Sequence, residues 1–200
     1  YGLVGSEMCI RDSFLYNTCT GQVTQVKNSL SEAINDIEQI DESHFFIGTE
    51  VGIHHAQLKD NTLQLLPCDK LDNVNIQVND LHFDPKIRKL FIGAFQRGIM
   101  VYDMKTKMVT QPEVSLKDVS ISRIKPLNAK ELLIATDGGG IYKMNVETYQ
   151  TEPFIVADYN SYNGMNGNSI NDIYIDEEGR IWMANYPLSL IHISEPTRPY

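Results

Sequence analysis

Cysteine is scarce in this chain, with three among 200 residues, and the three stand in no metal-ligand spacing. A disulfide-stapled scaffold and a cysteine-built zinc module are therefore excluded. Positive charge is short as well: 17 Lys+Arg face 26 Asp+Glu, a formal net charge of -9. Binding to a phosphate backbone needs a concentrated positive field, so nucleic acid is excluded as a partner of this segment. No run approaches the roughly 18 apolar residues of a membrane-crossing helix; the best is Leu90 to Phe95. Helix signals are missing too, since the one amphipathic candidate, 29–40, runs straight into a strand pattern. Neither a Gly-x-Ser-x-Gly elbow, a phosphoacceptor histidine box nor a nucleotide-binding glycine cluster occurs, and no carboxylate pair stands out for acid–base work. What is present, 42% hydrophobic and 22% charged residues, is ordinary for a folded domain.

The two ends carry an unusual relation. Met8 to Ser13 can be encoded by ATG TGT ATA AGA GAC AG, whose opposite strand reads Leu-Ser-Leu-Ile-His, the residues 188–192. The match extends outward, Val4 to Glu7 opposing Ser194 to Thr197. Two termini that are opposite strands of one DNA look like a translated sequencing-library adaptor. Residues 1–13 and 188–200 are therefore set aside from fold reasoning, and both ends are expected to be cuts. The acidic excess survives their removal, whereas a missing leader or anchor becomes uninformative.

Between the ends, 14–187, the chain repeats itself. Ile34-Asn35-Asp36-Ile37 recurs as Val78-Asn79-Asp80-Leu81, Ile121-Ser122-Arg123-Ile124 and Ile170-Asn171-Asp172-Ile173. Each is followed 12 or 13 residues on by an apolar run with an aromatic or leucine, centred on Phe46, Phe91, Leu133 and Trp182. These runs end in Gly48, Gly93, Ala135 and Ala184, small residues that suit a close-approaching neighbour. A glycine then opens a third element at Gly52, Gly98 and Gly140, where a tight turn can need positive φ. The periods are 45, 42 and 49 residues, with repeats near 29–70, 71–114, 115–160 and 165–187.

Alternation such as Ile170, Asp172, Tyr174 and Asp176 has period two, the mark of half-buried strands. Turn clusters such as Asp84-Pro85-Lys86 join neighbouring strands as hairpins. A weaker fourth strand is expected at 62–66, 107–110 and 149–155. Four strands per 42–49 residues is the arithmetic of a propeller blade, which buries its faces only by stacking on the next. The expected fold is all-β: a β-propeller fragment of about four blades of four antiparallel strands, the first and last incomplete. An open solenoid is the competing geometry. The aromatic positions are expected between blades.

The stretch from Asn168 to Asn185 resembles the blade repeat of two-component regulator propellers, whose pattern is an Asn-led strand, an Asp-x-x-Gly turn, Ile-Trp-Ile-Gly-Thr and Gly-Gly-Leu. Ile134 to Tyr142 resembles its second half. The first two repeats have Phe for Trp and one Gly, and the third lacks the Asn-Asp pair. The resemblance implies the periplasmic sensor of a hybrid histidine kinase in a bacterial inner membrane, crossed only by parts outside this chain. It further implies glycan fragments as ligand, with the rest of the ring and a dimer partner as protein contacts. The segment itself is expected to be no enzyme and to need no cofactor. A propeller lyase of the streptogramin type, or an interaction scaffold, stands as the alternative.

Candidate chemistry is thin. His54-His55 points to opposite faces of a strand and makes no joint metal site. The span 158–169 has Asn163 and Ser169 where a calcium loop needs Gly and Glu. Asp137-Gly138-Gly139-Gly140 lacks the Lys-Ser/Thr and helix of a phosphate loop, and reads as a hairpin. Cys19 and Cys68 lie near outer strands of successive repeats and are expected to be free thiols. No metal site is expected. Ligand contacts are placed on loops between second and third strands, at Glu50, Phe95, Gln96, Arg97, Asp137 and Tyr186, because rings stack on sugars and forked donors grip carboxylates. Asn35, Asn79 and Asn171, with the glycine and aromatic positions above, are assigned to the repeat framework.

Overall fold

The computed structural model describes residues 13–68, 71, 75–112, 116, 118–157, 165 and 167–186. Among the described residues all sixteen elements are strands, and every paired neighbour is antiparallel. Three complete four-stranded sheets follow each other. The first holds β3 (Ile34–Gln39), β4 (His44–Thr49), β5 (Ile53–Lys59) and β6 (Thr62–Leu66). The second holds β7 (Val78–Asp84), β8 (Lys89–Ala94), β9 (Gly98–Asp103) and β10 (Met108–Thr110). The third holds β11 (Ser120–Pro126), β12 (Glu131–Asp137), β13 (Gly140–Asn145) and β14 (Thr151–Ile155). A two-stranded sheet stands at each end: β1 (Ser13–Tyr16) with β2 (Val23–Val26), and β15 (Ser169–Ile175) with β16 (Ile181–Tyr186). The all-β expectation is borne out.

The hairpin β1–β2 is an element the repeat pattern did not assign. Its turn explains what it is. Asn17 Oδ1 accepts from the backbone N–H of Cys19 and Thr20 at 2.9 and 3.0 Å. Asp103 Oδ1 does the same for Lys105 and Thr106, and Asn145 Oδ1 for Glu147 and Thr148. Four residues after each lies a left-handed residue: Gly21 (φ 71), Lys107 (φ 56) and Tyr149 (φ 59). A short polar side chain that bonds its own turn makes this hairpin, and the three copies are one motif. β1 and β2 are thus the third and fourth strands of a preceding sheet. In the first complete sheet the same corner is a two-residue turn, Asp60 and Asn61 both at positive φ. Gly98 and Gly140 open their strands at φ 70 and 81, but Gly52 is not left-handed; Thr49 holds that corner, its hydroxyl donating to the Gly52 carbonyl at 3.1 Å.

The sheets stack through their first strands. In each first strand the register shifts at the second residue, between Ile34 and Asp36, Val78 and Asp80, Ile121 and Arg123, and Ile170 and Asp172. Such a bulge frees one residue from the ladder and re-aims it. The freed Asn35 donates its amide to the Val78 carbonyl, and Asn79 to the Ile121 carbonyl, both at 2.8 Å. The following carboxylate completes the link: Asp36 Oδ2 accepts from Leu81 N–H at 2.8 Å, and Asp80 Oδ2 from Ile124 N–H at 2.6 Å. The first and second complete sheets are therefore each pinned to the next by a donor and an acceptor at the same place.

The core fills the gaps between sheets. Phe46, on the first sheet, packs with Leu71, Val78, Leu81 and Phe83 across the gap. Phe91 meets Ile121, Ile124 and Leu132, and Leu133 meets Ile170 and Ile173. Phe46 and Phe91 are 1% and 0% exposed, as expected for the inter-blade position, and burying such a ring contributes roughly 2–3 kcal/mol. Trp182, the fourth member, is half-buried, and its indole donates to Asp176 Oδ2 at 2.8 Å. The small-residue expectation also holds. A Cβ on Gly48 would stand 2.7 Å from Val78 Cγ1, and one on Gly93 2.7 Å from Ile121 Cγ2.

Gly93→Val should lower stability by about 1–3 kcal/mol through overpacking, and Ile121→Ala in the same chain should recover part of that loss. Urea titration of the three variants checks it; additive losses in the double variant would count against close approach as the cause.

Candidate functional site

The hairpins between second and third strands all lie at the end of the stack where the first strands begin. Glu50 N–H donates to the Ala33 carbonyl at 3.3 Å, and Phe95 N–H to the Gln77 carbonyl at 2.9 Å. Gln96, left-handed at φ 52, donates its N–H to Ser120 Oγ of the next sheet at 3.1 Å. Gly138 and Gly140 donate to the Asn168 carbonyl at 3.1 and 2.8 Å, and Ser169 hydrogen-bonds Asp137. Glu50, Phe95, Gln96, Arg97, Asp137 and Tyr186 are all exposed, with Phe95 43% and Tyr186 67% accessible. The structure thus places the six on one end, each hairpin tied to a first strand.

Beside these loops lies a feature the sequence pattern did not single out as a site. The starts of the four first strands form a groove of about 390 Å³ lined by Asn35, Asn79, Asn171, Gln77, Ser122 and Arg123, with Ile34. None of the six loop residues lines it. The bulge that re-aims each second residue brings residues 43–49 positions apart into one wall, so a framework motif doubles as a polar surface. Arg123 is the one cation among these lining residues. Its Nε donates to Asp172 Oδ1 at 3.1 Å, its Nη1 donates to the Ser122 carbonyl at 2.9 Å, and Asp80 Oδ1 is 3.7 Å away.

The wall is electrostatically tuned. Asp80 is buried, and burial, with the Asp36 carboxylate beside it, pushes its pKa up to about 7. Glu38, two residues after Asp36 on β3, is also raised by burial, although Phe83 N–H donates to it at 2.5 Å. His82 lies 3.6 Å from Glu38, and burial lowers its pKa. At the third junction the pattern changes sign. Arg123 replaces the accepting Asp, so it pairs with Asp172, which itself accepts from Ile173 N–H at 2.9 Å. Ser122 takes the Asn role and donates to the Ile170 carbonyl.

The remaining candidates fall elsewhere. His54 Nε2 is 2.6 Å from Glu32 Oε1, while the His55 ring lies tilted against Phe46 with centroids 5.3 Å apart, so the pair does point to opposite sides. Among the described residues no three His, Cys, Asp or Glu side chains converge. Cys19 and Cys68 are free thiols, and Cys68 Sγ is 3.6 Å from the Tyr102 hydroxyl. Most of the span 158–169, and both stretches read as adaptor except Ser13, lie outside the described residues.

Comparison with known proteins agrees with this geometry. Residues 164–186 match the family described as two component regulator propeller. This stretch is similar to a two component regulator propeller repeat. It coincides with the best-preserved copy of the internal pattern, so the other sheets are its diverged siblings within the chain. Solved structures share the fold. One is the extracellular domain from B. thetaiotaomicron assigned in one structure to a one component system (23% identity, TM-score 0.68) and in another to a hybrid two component system (22%, 0.69). Both comparisons cover 90% of this chain and 25% of the other. A second extracellular domain, also assigned to a hybrid two component system of B. thetaiotaomicron, matches at 18% identity and TM-score 0.63, covering 86% of this chain and 23% of its own. The chain therefore spans about a quarter of the length of the structures it matches. None of the curated proteins matches it. The fold shared with these structures accounts for the stacked sheets.

The raised pKa of Asp80 sets a direction for pH dependence. The folded state holds its proton up to about pH 7, whereas an unfolded Asp loses it near pH 4. The folded state binds more protons across that window, so stability falls as pH rises from about 4 to 7, by a few kcal/mol at most. Asp80→Asn should flatten that slope, because the amide oxygen still accepts from Ile124 without carrying charge. Urea midpoints at pH 5 and 8 test it; an equal slope in both proteins would assign the dependence to another group.

Proposed function

We propose that this chain is a ligand-sensing segment of the extracytoplasmic part of a hybrid two component receptor. The observation that carries the reading is the coincidence of the family match over 164–186 with a recognition-ready end of the stack. There, exposed Phe95, Arg97 and Tyr186 flank a wall of amides and one guanidinium. Aromatic faces, planar amides and carboxylates are the groups that recognise sugars, through ring stacking and paired hydrogen bonds. The ligand class is accordingly an oligosaccharide or polysaccharide fragment.

The role is binding and transmission. A ligand that contacts hairpins of successive sheets favours one arrangement of them, and a receptor dimer reports that shift across the membrane. The extracellular domains from B. thetaiotaomicron share this fold, which supports a periplasmic placement in an inner-membrane receptor, with kinase and downstream modules supplied by the rest of the protein. An enzymatic propeller of the lyase type finds less support. His54 sits on the third strand of its sheet and its partner Glu32 just before the first, and neither residue lines the groove.

The test uses the full-length receptor in proteoliposomes with a panel of oligosaccharides. One of them should stimulate autophosphorylation, and Phe95→Ala with Arg97→Ala should raise its half-maximal concentration roughly tenfold or more, as loss of an aromatic and an arginine anchor does. A parent protein without kinase activity, or an unchanged response in the double variant, would overturn the reading.

A further inference from the structure

The opposite end of the stack carries a second, unrelated feature. Two equivalent clefts separate the three complete sheets, and strand register aligns their walls residue by residue. Phe46 corresponds to Phe91, His44 to Lys89, Tyr102 to Met144, and Lys107 to Tyr149, the last pair being the left-handed residues of the shared hairpin. Between the second and third sheets the Tyr149 ring packs on the core that holds Phe91 and Met144. Lys89 Nζ donates to its hydroxyl at 2.6 Å and lies 4.8 Å from its ring centroid. That cleft is filled by a phenol from the chain itself.

Between the first and second sheets the same position is Lys107, which is exposed. A cavity of about 290 Å³ remains there, walled by Phe46, His55, Tyr102 and Met104, with Pro67 and Cys68 on one flank and Lys107 at the mouth. Its aromatic wall is ordered: Tyr102 meets Phe46 edge-on with centroids 6.1 Å apart, and His55 lies tilted against the other side of the cluster at 5.3 Å from Phe46. Polar groups of His55, Tyr102 and Lys107 stand around an apolar floor, the Tyr102 hydroxyl 3.6 Å from Cys68 Sγ, as in sites that take a ring bearing one polar handle.

We propose that this cleft binds a small molecule through a single phenol-type aromatic ring, seated where Tyr149 sits in the neighbouring cleft. The molecule supplies the ring that the repeat lacks at Lys107. The hydroxyl falls among His55, the Tyr102 hydroxyl and Lys107, all of which can hydrogen-bond a phenol. The site lies at the end opposite the candidate glycan surface and does not depend on that reading.

The probe is p-cresol, the tyrosine side chain as a free molecule, titrated into the 200-residue chain and followed by amide and methyl NMR. Saturable shifts should be confined to Phe46, His55, Cys68, Tyr102 and the 103–108 hairpin. Lys107→Tyr should fill the cleft and weaken p-cresol binding at least tenfold. Tyr149→Gly, which copies Gly21 at the same turn position, should open the other cleft and add a second set of shifts at Phe91 and Met144. Absence of saturable shifts at the cleft, or undiminished binding by folded Lys107→Tyr, would overturn the proposal. Should Lys107→Tyr fail to fold, the Tyr149→Gly arm decides: no second site there overturns it equally.

Discussion

Everything in this stack hangs on the bulge in the first strand of each sheet. A regular strand would spend the second residue on its own ladder. The register shift releases Asn35 and Asn79 to bond the next sheet's carbonyl, while the carboxylate after each captures a backbone N–H a few residues further on. Each such bond contributes about 1 kcal/mol net, and a buried group left without one costs more. The bulge also sets the spacing. It brings Val78 and Ile121 so close to the preceding sheet that Gly48 and Gly93 have no room for a side chain. Polar pinning and apolar packing thus require the same approach distance, and neither would survive a change in the other.

Much of this was legible in the sequence because the repeat states it four times. Small residues after the apolar run, an aromatic between sheets and strand after strand without a helix all follow from period and residue type. The reach of the Asn-Asp pair was not legible, since nothing in a strand pattern says that a side chain leaves its own sheet. The hairpin at 13–26 escaped for a different reason: its strands are four residues each and half polar, and its real signal is the turn. Asn17, Asp103 and Asn145 hold that turn, and the last two are separated by the same 42 residues as the repeat around them.

The candidate site shows the same split. Loops at the second-to-third strand corners are predictable from the blade plan, and the hydrogen bonds of Phe95, Gln96 and Gly138 place them at one end. The groove with Arg123 needed coordinates, because its wall is assembled from one residue or two per sheet. Divergence of the third repeat is informative there. Replacing the accepting Asp by Arg123 removes one backbone acceptor and installs an ion pair with Asp172, so the junction is kept while the wall gains its one positive charge.

The pinning bonds all run one way along the chain. Asn35 and Asp36 serve the second sheet, Asn79 and Asp80 the third, and Ser122 and Arg123 the fourth. Each repeat therefore carries the plug for its successor and the socket for its predecessor, like couplings on a train. Genetic duplication or loss of a whole repeat leaves every plug facing a socket, whereas a breakpoint that divides the first strand from its sheet strands one of each. Ring size in proteins built this way can drift in steps of one unit without inventing a new junction, and the cut points that evolution tolerates are those lying between couplings.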